Sequence, residues 1–314
     1  MIDWTDRHCR RFHRAISQHT WLYTEMITTG ALVFGDRKRF LAFNEEEHPV
    51  AFQIGGNDPE HMARCAKWVE EAGYDELNMN VGCPSERVQK GAFGACLMAE
   101  PDLVADCVKA MRDACSIDVT VKHRIGLDYD ESETMLYDFV GKVSEAGCQT
   151  FIVHSRNAVL KGLSPKENRD IPPLRYEVVK RLKQHFPHLQ IILNGGITTV
   201  EAIQTHLQWA DGCMIGREAY SNPWLLAGFD ELMGKRSDAK TRFDVIDELR
   251  DYAERELSKG ESIRNITKSW LGLFHGQPGG RLYRQVLSDS TLLKANNWKV
   301  VEDALAKMAK HAAV

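Results

Sequence analysis

From about Trp21 to Arg217, short β-rich runs alternate with longer stretches of helical periodicity. The runs Trp21–Met26, Val50–Ile54, Glu76–Val81, Val119–His123, Thr150–His154, Gln190–Asn194 and Gly212–Ile215 each predict a strand. Several are apolar at successive positions, as in Ile191, Ile192 and Leu193, which is the pattern of strands covered on both faces. Between them, Pro59 after Asn57-Asp58 and Pro101 after Ala99-Glu100 mark helix starts. Strands alternating with helices imply βαβ units and a parallel sheet. Seven strands are one short of a (β/α)8 barrel. The pattern therefore leaves either an open doubly wound sheet or a TIM-type barrel whose first strand lies before Met1.

After Arg217 the strand signal stops. Helical spacing takes over from about Ala239, with Leu249, Tyr252 and Leu257 apolar among charges and Ile263, Ile266, Trp270 and Phe274 continuing the stripe. A loop, Gly276-Gln-Pro-Gly-Gly280, leads into another helix from Arg281. The expected organisation is a barrel over 1–235 and a small all-helical domain over 236–314.

Composition narrows the class. With 314 residues, 43% hydrophobic and 27% charged, the chain can bury a core and is no disordered tail. No apolar run reaches membrane-spanning length. The eight cysteines are scattered without a CxxC pair, which suits reduced thiols in a cytoplasmic protein and predicts neither a disulfide framework nor a metal site. The net charge of −4 argues against a nucleic-acid partner, but its distribution does not. Between Lys259 and Lys299 seven Lys/Arg face two acidic residues, a local excess of +5. Such a stretch can track a phosphate backbone, although a solvated helical face has the same composition.

The chemistry gathers at the C-terminal ends of the predicted strands, where a barrel keeps its active site. Those ends carry Gln53, Asn78, Asn80, Cys83, Lys122, His123, Arg124, His154, Arg156, Asn194 and Arg217. Asn194-Gly195-Gly196 and Gly216-Arg217 close the last two strands, where glycine turns and an arginine suit a phosphorylated ligand. Lys122 suits a Schiff base or a cation beside an electron-rich cofactor, with Gln53 and His154 as hydrogen-bonding neighbours. Cys83, on the Gly82-Cys83-Pro84 turn, suits a nucleophile or a general acid.

Taken together these residues resemble the tRNA-dihydrouridine synthases. The resemblance runs in order through Met1-Ile-Asp-Trp-Thr-Asp6, Tyr23-Thr-Glu-Met26, Gln53-Ile-Gly-Gly56, Asn78-Met-Asn-Val-Gly-Cys-Pro84, Lys122-His-Arg-Ile-Gly126, His154-Ser-Arg-Asn157, Asn194-Gly-Gly-Ile197 and Gly216-Arg217. Asp3-Trp-Thr-Asp-Arg-His-Cys9, Lys161-Gly-Leu-Ser-Pro-Lys-Glu-Asn-Arg169 and Leu273-Phe-His-Gly-Gln-Pro-Gly279 resemble the bacterial A-type branch, which modifies D-loop uridines 20 and 20a. The family has a first strand ending Ala-Pro-Met. Its Met aligns with Met1, so the resemblance places the eighth strand upstream of the first residue here.

The resemblance implies a flavin barrel followed by a tRNA-binding helical domain. Reduced FMN, regenerated by NADPH, would pass hydride from N5 to uracil C6, and Cys83 would protonate C5. FMN contacts map onto Met1, Gln53, Lys122, His154, Asn194, Gly195, Gly196, Gly216 and Arg217. RNA contacts map onto Asn80, Lys166, Arg169, Arg281 and Arg284. A monomer is expected. Three other readings stay open from the residues alone: a flavin reductase of a small molecule, a Schiff-base aldolase using Lys122, and an inactive barrel that binds RNA.

Overall fold

The computed structural model describes residues 1–235 and 240–312. Seven strands form one sheet: β1 (Leu22–Thr28), β2 (Val50–Gly55), β3 (Glu76–Val81), β4 (Asp118–Arg124), β5 (Thr150–His154), β6 (Gln190–Asn194) and β7 (Gly212–Met214). All seven sequence runs become strands, with ends shifted by two residues at most. The strand order is β1-β2-β3-β4-β5-β6-β7, and β2 through β7 pair in parallel. A doubly wound sheet reverses its order at a switch point; a barrel does not. The sequential order therefore decides for barrel topology, with β1 and β7 as edges among the described residues.

The helices start as their residues dictate. Asp58 accepts from the backbone N–H of Glu60 and His61 (2.9 and 3.1 Å) and Pro59 opens the Pro59–Glu71 helix. Pro101 opens the Pro101–Ala114 helix without a side-chain cap. Each buries one apolar face, Met62, Cys65, Ala66 and Val69 in the first and Val104, Cys107, Val108 and Met111 in the second.

Two compact units emerge. One is Tyr23–Phe43 with His48–Ile215, and holds the sheet; the other is Met1–Leu22, Asn44–Glu47 and Gly216–Val314. The expected division of the chain at residue 235 is laid out along the sequence, whereas these units divide at 215/216 and gather the N-terminal residues with the C-terminal helices. The expected start of the helical domain at Arg236, and the expected onset of helix at Ala239, lie outside the described residues.

The Arg7–Ile16 helix shows why the N-terminus joins that unit. Its sequence, RHCRRFHRAI, carries four arginines and two histidines, yet nine of its ten residues are buried. Carboxylates distant in sequence accept its cations: Arg7 Nη1 donates to Glu256 (2.5 Å), Arg11 Nη2 to Glu248 (3.1 Å), and Arg10 to the fully buried Glu47. Cys9, Phe12 and Ala15 fill the interior beside them. The helices Arg242–Ser258, Ile263–Thr267, Gly280–Ser288 and Lys299–Ala312 complete the unit. Leu249, Tyr252, Ile263, Ile266, Trp270, Phe274 and Tyr283 form its core, so the sequence stripe is an interior face; Leu257 remains partly exposed.

Candidate active site at the strand ends

Polar residues recur at every second position of two neighbouring strands. On β3 they are Glu76, Asn78 and Asn80; on β4 they are Thr120, Lys122 and Arg124. Period two puts each set on one face, and the parallel register pairs Asn78 with Thr120 and Asn80 with Lys122. The alternate residues face the other way. His123 packs its ring against Phe139 and Phe151 (centroids 5.0 and 5.8 Å apart), and burial lowers its pKa to about 4. Although it stands at a strand end, it belongs to the packing and not to the polar face.

Cys83 follows β3 on a turn built by the backbone. Asn80 Oδ1 accepts from the N–H of Cys83 and of Gly82 (3.0 and 3.1 Å), and the carbonyl of Cys83 accepts from Ala95 N (2.9 Å). Gly94 permits that return: its φ is +75°, and a Cβ there would lie 2.6 Å from the Cys83 carbonyl oxygen. Gln89 Nε2 ties the loop onward, donating to the carbonyls of Pro84 and Leu160 (both 2.8 Å). The thiol is partly exposed and lies 3.6 Å from Ser85 Oγ.

Lys122 has no hydrogen-bond or ion-pair partner among the described residues. Burial lowers its pKa to about 7; Arg124 pushes the same way and nearby Cys83 opposes. An ammonium so placed is stabilised by whatever electron-rich group comes to lie against it. At β6 the Asn194-Gly195-Gly196 turn has φ of +117° and +66° at its glycines. A Cβ at Gly195 would meet Ser155 Oγ at 2.9 Å, and one at Gly196 would meet Leu174 Cδ1 at 2.5 Å. Both conformation and space demand glycine there, as a backbone cradle for an anion requires. Asn194 Nδ2 donates to Met214 O (2.8 Å), fixing the turn to β7. The residues present thus fit an electron-rich, phosphorylated cofactor: a partnerless cation and a cradle that any Cβ would fill.

A model of the family described as dihydrouridine synthase matches residues 1–310. The chain belongs to the dihydrouridine synthase family. Among relatives of this family member is a Pseudomonas aeruginosa protein named tRNA-dihydrouridine(20/20a) synthase. It is 56% identical over 310 residues, covering 98% of this chain and 93% of the relative. Proteins of the same name from Vibrio parahaemolyticus and Escherichia coli K12 are each 54% identical, over 99% and 98% of this chain and 95% and 90% of their own. A solved structure of morphinone reductase in complex with tetrahydroNAD is similar in fold. Its TM-score is 0.52 at 12% identity, covering 78% of this chain and 86% of that one.

The sheet-bearing unit of this family member brings together Gln53, Asn80, Cys83, Lys122, His154, Asn194, Gly195 and Gly196 at one end of the strands. Gln53 and His154 are buried, 8% and 9% exposed. Lys166 and Arg169 sit on the segment after β5, shaped by the fully buried Asn168, whose Oδ1 accepts from Val159 N (2.7 Å) and whose Nδ2 donates to Val159 O (2.9 Å). Met1, Gly216, Arg217, Arg281 and Arg284 belong to the other unit. There the Met1 ammonium donates to Thr5 Oγ1 (2.8 Å), and Arg217 begins the short Arg217–Ser221 helix. Gly216 has a φ of −103° and open space around it, unlike the two glycines after β6. Arg281 and Arg284 are exposed on the Gly280–Ser288 helix and line a hollow of about 440 Å³ with Leu271, Gln285 and Ser288. The basic stretch around them is partly neutralised: Lys259, Lys268 and Lys299 pair with Glu256, Asp6 and Asp303 (2.9, 2.6 and 2.9 Å).

Arg124 is the site residue that strand-end reasoning left without a role. Its Nε donates to Gly82 O (3.1 Å) and its Nη1 to Asn168 O (3.0 Å), so one buried guanidinium braces the Cys83 turn against the segment carrying Lys166 and Arg169. Burial lowers its pKa to about 10, with Arg156 and Arg169 adding repulsion. The polar alternation Thr120, Lys122, Arg124 was the available signal.

Proposed function

We propose that this protein reduces uridines 20 and 20a of the tRNA D-loop to 5,6-dihydrouridine, holding FMN and taking its electrons from NADPH. The observation that carries the reading is the pairing, at one sheet end, of a partnerless Lys122 ammonium with a backbone-held Cys83 thiol. Bound FMN would supply the hydride that uracil C6 needs. Lys122 would hold the electron-rich edge of the ring system, with Gln53 and His154 as hydrogen-bonding neighbours. Asn194, Gly195, Gly196, Gly216 and Arg217 would take the phosphate, and Met1 would contact the ring. Cys83 would deliver the proton to C5, leaving a thiolate that the solvent reprotonates.

RNA would be held by Asn80, Lys166, Arg169, Arg281 and Arg284, with 1–235 as catalytic barrel and 236–314 as tRNA-binding domain. No helix among the described residues is long and apolar enough to cross a membrane; the protein would act on tRNA as a cytoplasmic monomer. The test is direct. The protein should purify yellow, release FMN on denaturation, be bleached by NADPH and be re-oxidised by tRNA lacking dihydrouridine, with mass spectrometry finding the product at 20 and 20a. Colourless protein that takes up no added FMN, or product at other positions, overturns the reading.

A further inference from the structure

Polar residues of β2, β3 and β4 form one hydrogen-bonded chain in which every donor points the same way. Cys83 N–H donates to Asn80 Oδ1 (3.0 Å), Asn80 Nδ2 to Gln53 Oε1 (2.9 Å) and Gln53 Nε2 to Asn78 Oδ1 (2.8 Å). Asn78 Nδ2 then donates to Thr120 Oγ1 (2.8 Å), and Thr120 donates to Glu76 Oε1 (2.5 Å). Tyr23 OH adds a second donor to the same carboxyl (3.0 Å). Asn78 and Glu76 are 0% and 7% exposed, and Glu76 has no cation partner among the described residues.

A carboxamide has a donor end and an acceptor end, and turning it over costs little in shape. Three of them in series could run in either direction; the groups at the two ends, the Glu76 carboxyl and the N–H pair of the Cys83 turn, agree on one. Glu76 Oε1 accepts whether the carboxyl is ionised or carries its proton on Oε2. Thr120 therefore spends its single proton on Glu76 and can only accept from Asn78. Asn78 must then offer Nδ2 to Thr120 and Oδ1 to Gln53, and the same constraint passes to Asn80. Reversal at Asn80 would turn an NH2 group onto two backbone N–H groups of the Cys83 turn.

We propose that Glu76 is a positioning residue: through Thr120, Asn78 and Gln53 it keeps the Asn80 oxygen facing the loop, and so holds Cys83 in place. Burial raises the pKa of Glu76 to about 7, with Asp118 and Asp75 adding to the rise, so this carboxyl is held at a cost that packing alone does not require. The link to turnover rests on the reading of Cys83 as proton donor; the link to the loop does not.

Hydrogen exchange of the full-length protein without tRNA, resolved by mass spectrometry, tests the chain. Glu76→Leu removes the terminal acceptor and Thr120→Val breaks the chain isosterically, while Glu76→Gln and Thr120→Ser keep an acceptor and a donor in place. Glu76→Leu or Thr120→Val, whichever folds, should exchange the Gly82 and Cys83 amides about tenfold faster, and iodoacetamide should label Cys83 faster in parallel. Amides of Phe151–Val153 in β5 should keep the parent rate, and the two conservative variants should match the parent throughout. Unchanged exchange at Gly82 and Cys83, or acceleration shared by β5, overturns the proposal. A loosened loop with undiminished dihydrouridine formation would sustain the chain and remove Cys83 from the proposed chemistry.

Discussion

Lys122 makes a quantitative prediction about cofactor affinity. Without a ligand its pKa is about 7, lowered first by burial and then by Arg124. Above neutral pH the amine is therefore largely uncharged, and binding an electron-rich cofactor must bring a proton with it. One charge-assisted contact is worth roughly 1.5–3 kcal/mol, and each pKa unit corresponds to about 1.36 kcal/mol. The bound lysine should then titrate about one to two units higher than the free one. FMN affinity should fall by about 10- to 150-fold between roughly pH 7 and 9 and level off beyond, by that same conversion. The cofactor's own phosphate has its second pKa near 6 and is about nine-tenths ionised by pH 7, so it adds little within this window.

Fluorescence titration of the cofactor-free protein with FMN across this range gives the curve. Lys122→Met should bind weakly at every pH with no slope, and the two curves should meet at the alkaline end. The protein without FMN has the opposite dependence. Its unfolded chain binds the proton more readily between the folded pKa of about 7 and the ordinary 10.5, so stability rises with pH through that window. Lys122→Met abolishes that rise. A slope of equal size in Lys122→Met, or a parent curve flat above pH 7, refutes the assignment of Lys122 to the cofactor.

Cys83→Ala should retain FMN and be reduced by NADPH, yet form dihydrouridine about 10²–10⁴-fold more slowly, as loss of a general acid does; Cys96→Ala should match the parent, and a near-normal rate in Cys83→Ala removes it from the mechanism. Charge reversal at Arg281 and Arg284 should weaken tRNA binding and flatten its salt dependence while NADPH still reduces the flavin normally; unaltered binding would make that helix merely a solvated surface. Arg10→Met strands Glu47, which is 0% exposed and otherwise held by the backbone N–H and side-chain amide of Asn44 (2.8 and 2.7 Å). Loss of one partner of a buried pair costs about 3–5 kcal/mol, so urea denaturation showing less than about 1 kcal/mol would contradict a buried Arg10–Glu47 pair.

Much of the barrel was legible because local signals and tertiary structure agree. Apolar runs such as Ile191–Leu193 are strands because only a doubly covered strand can bury consecutive apolar residues, and Pro59 and Pro101 start helices for reasons local to those turns. The strand-end residues Gln53, Lys122 and His154 were legible for the same reason: a parallel sheet delivers all its C-terminal ends to one side. Strand order was not, since seven strands fit a doubly wound sheet as well as a barrel and only the pairing partners distinguish them. Nor could the Arg7–Ile16 helix be read as interior, because the carboxylates that make its burial tolerable, Glu47, Glu248 and Glu256, stand 37, 237 and 249 residues away from their arginines. The direction of the chain from Glu76 to Cys83 belongs to the same class. Period two puts Glu76, Asn78 and Asn80 on one face of β3, but which way each amide turns depends on Thr120 and Gln53, brought alongside by the register of two neighbouring strands. Local patterning decides what each residue is capable of; contacts across strands and between residues far apart in the chain decide which of those capabilities is used.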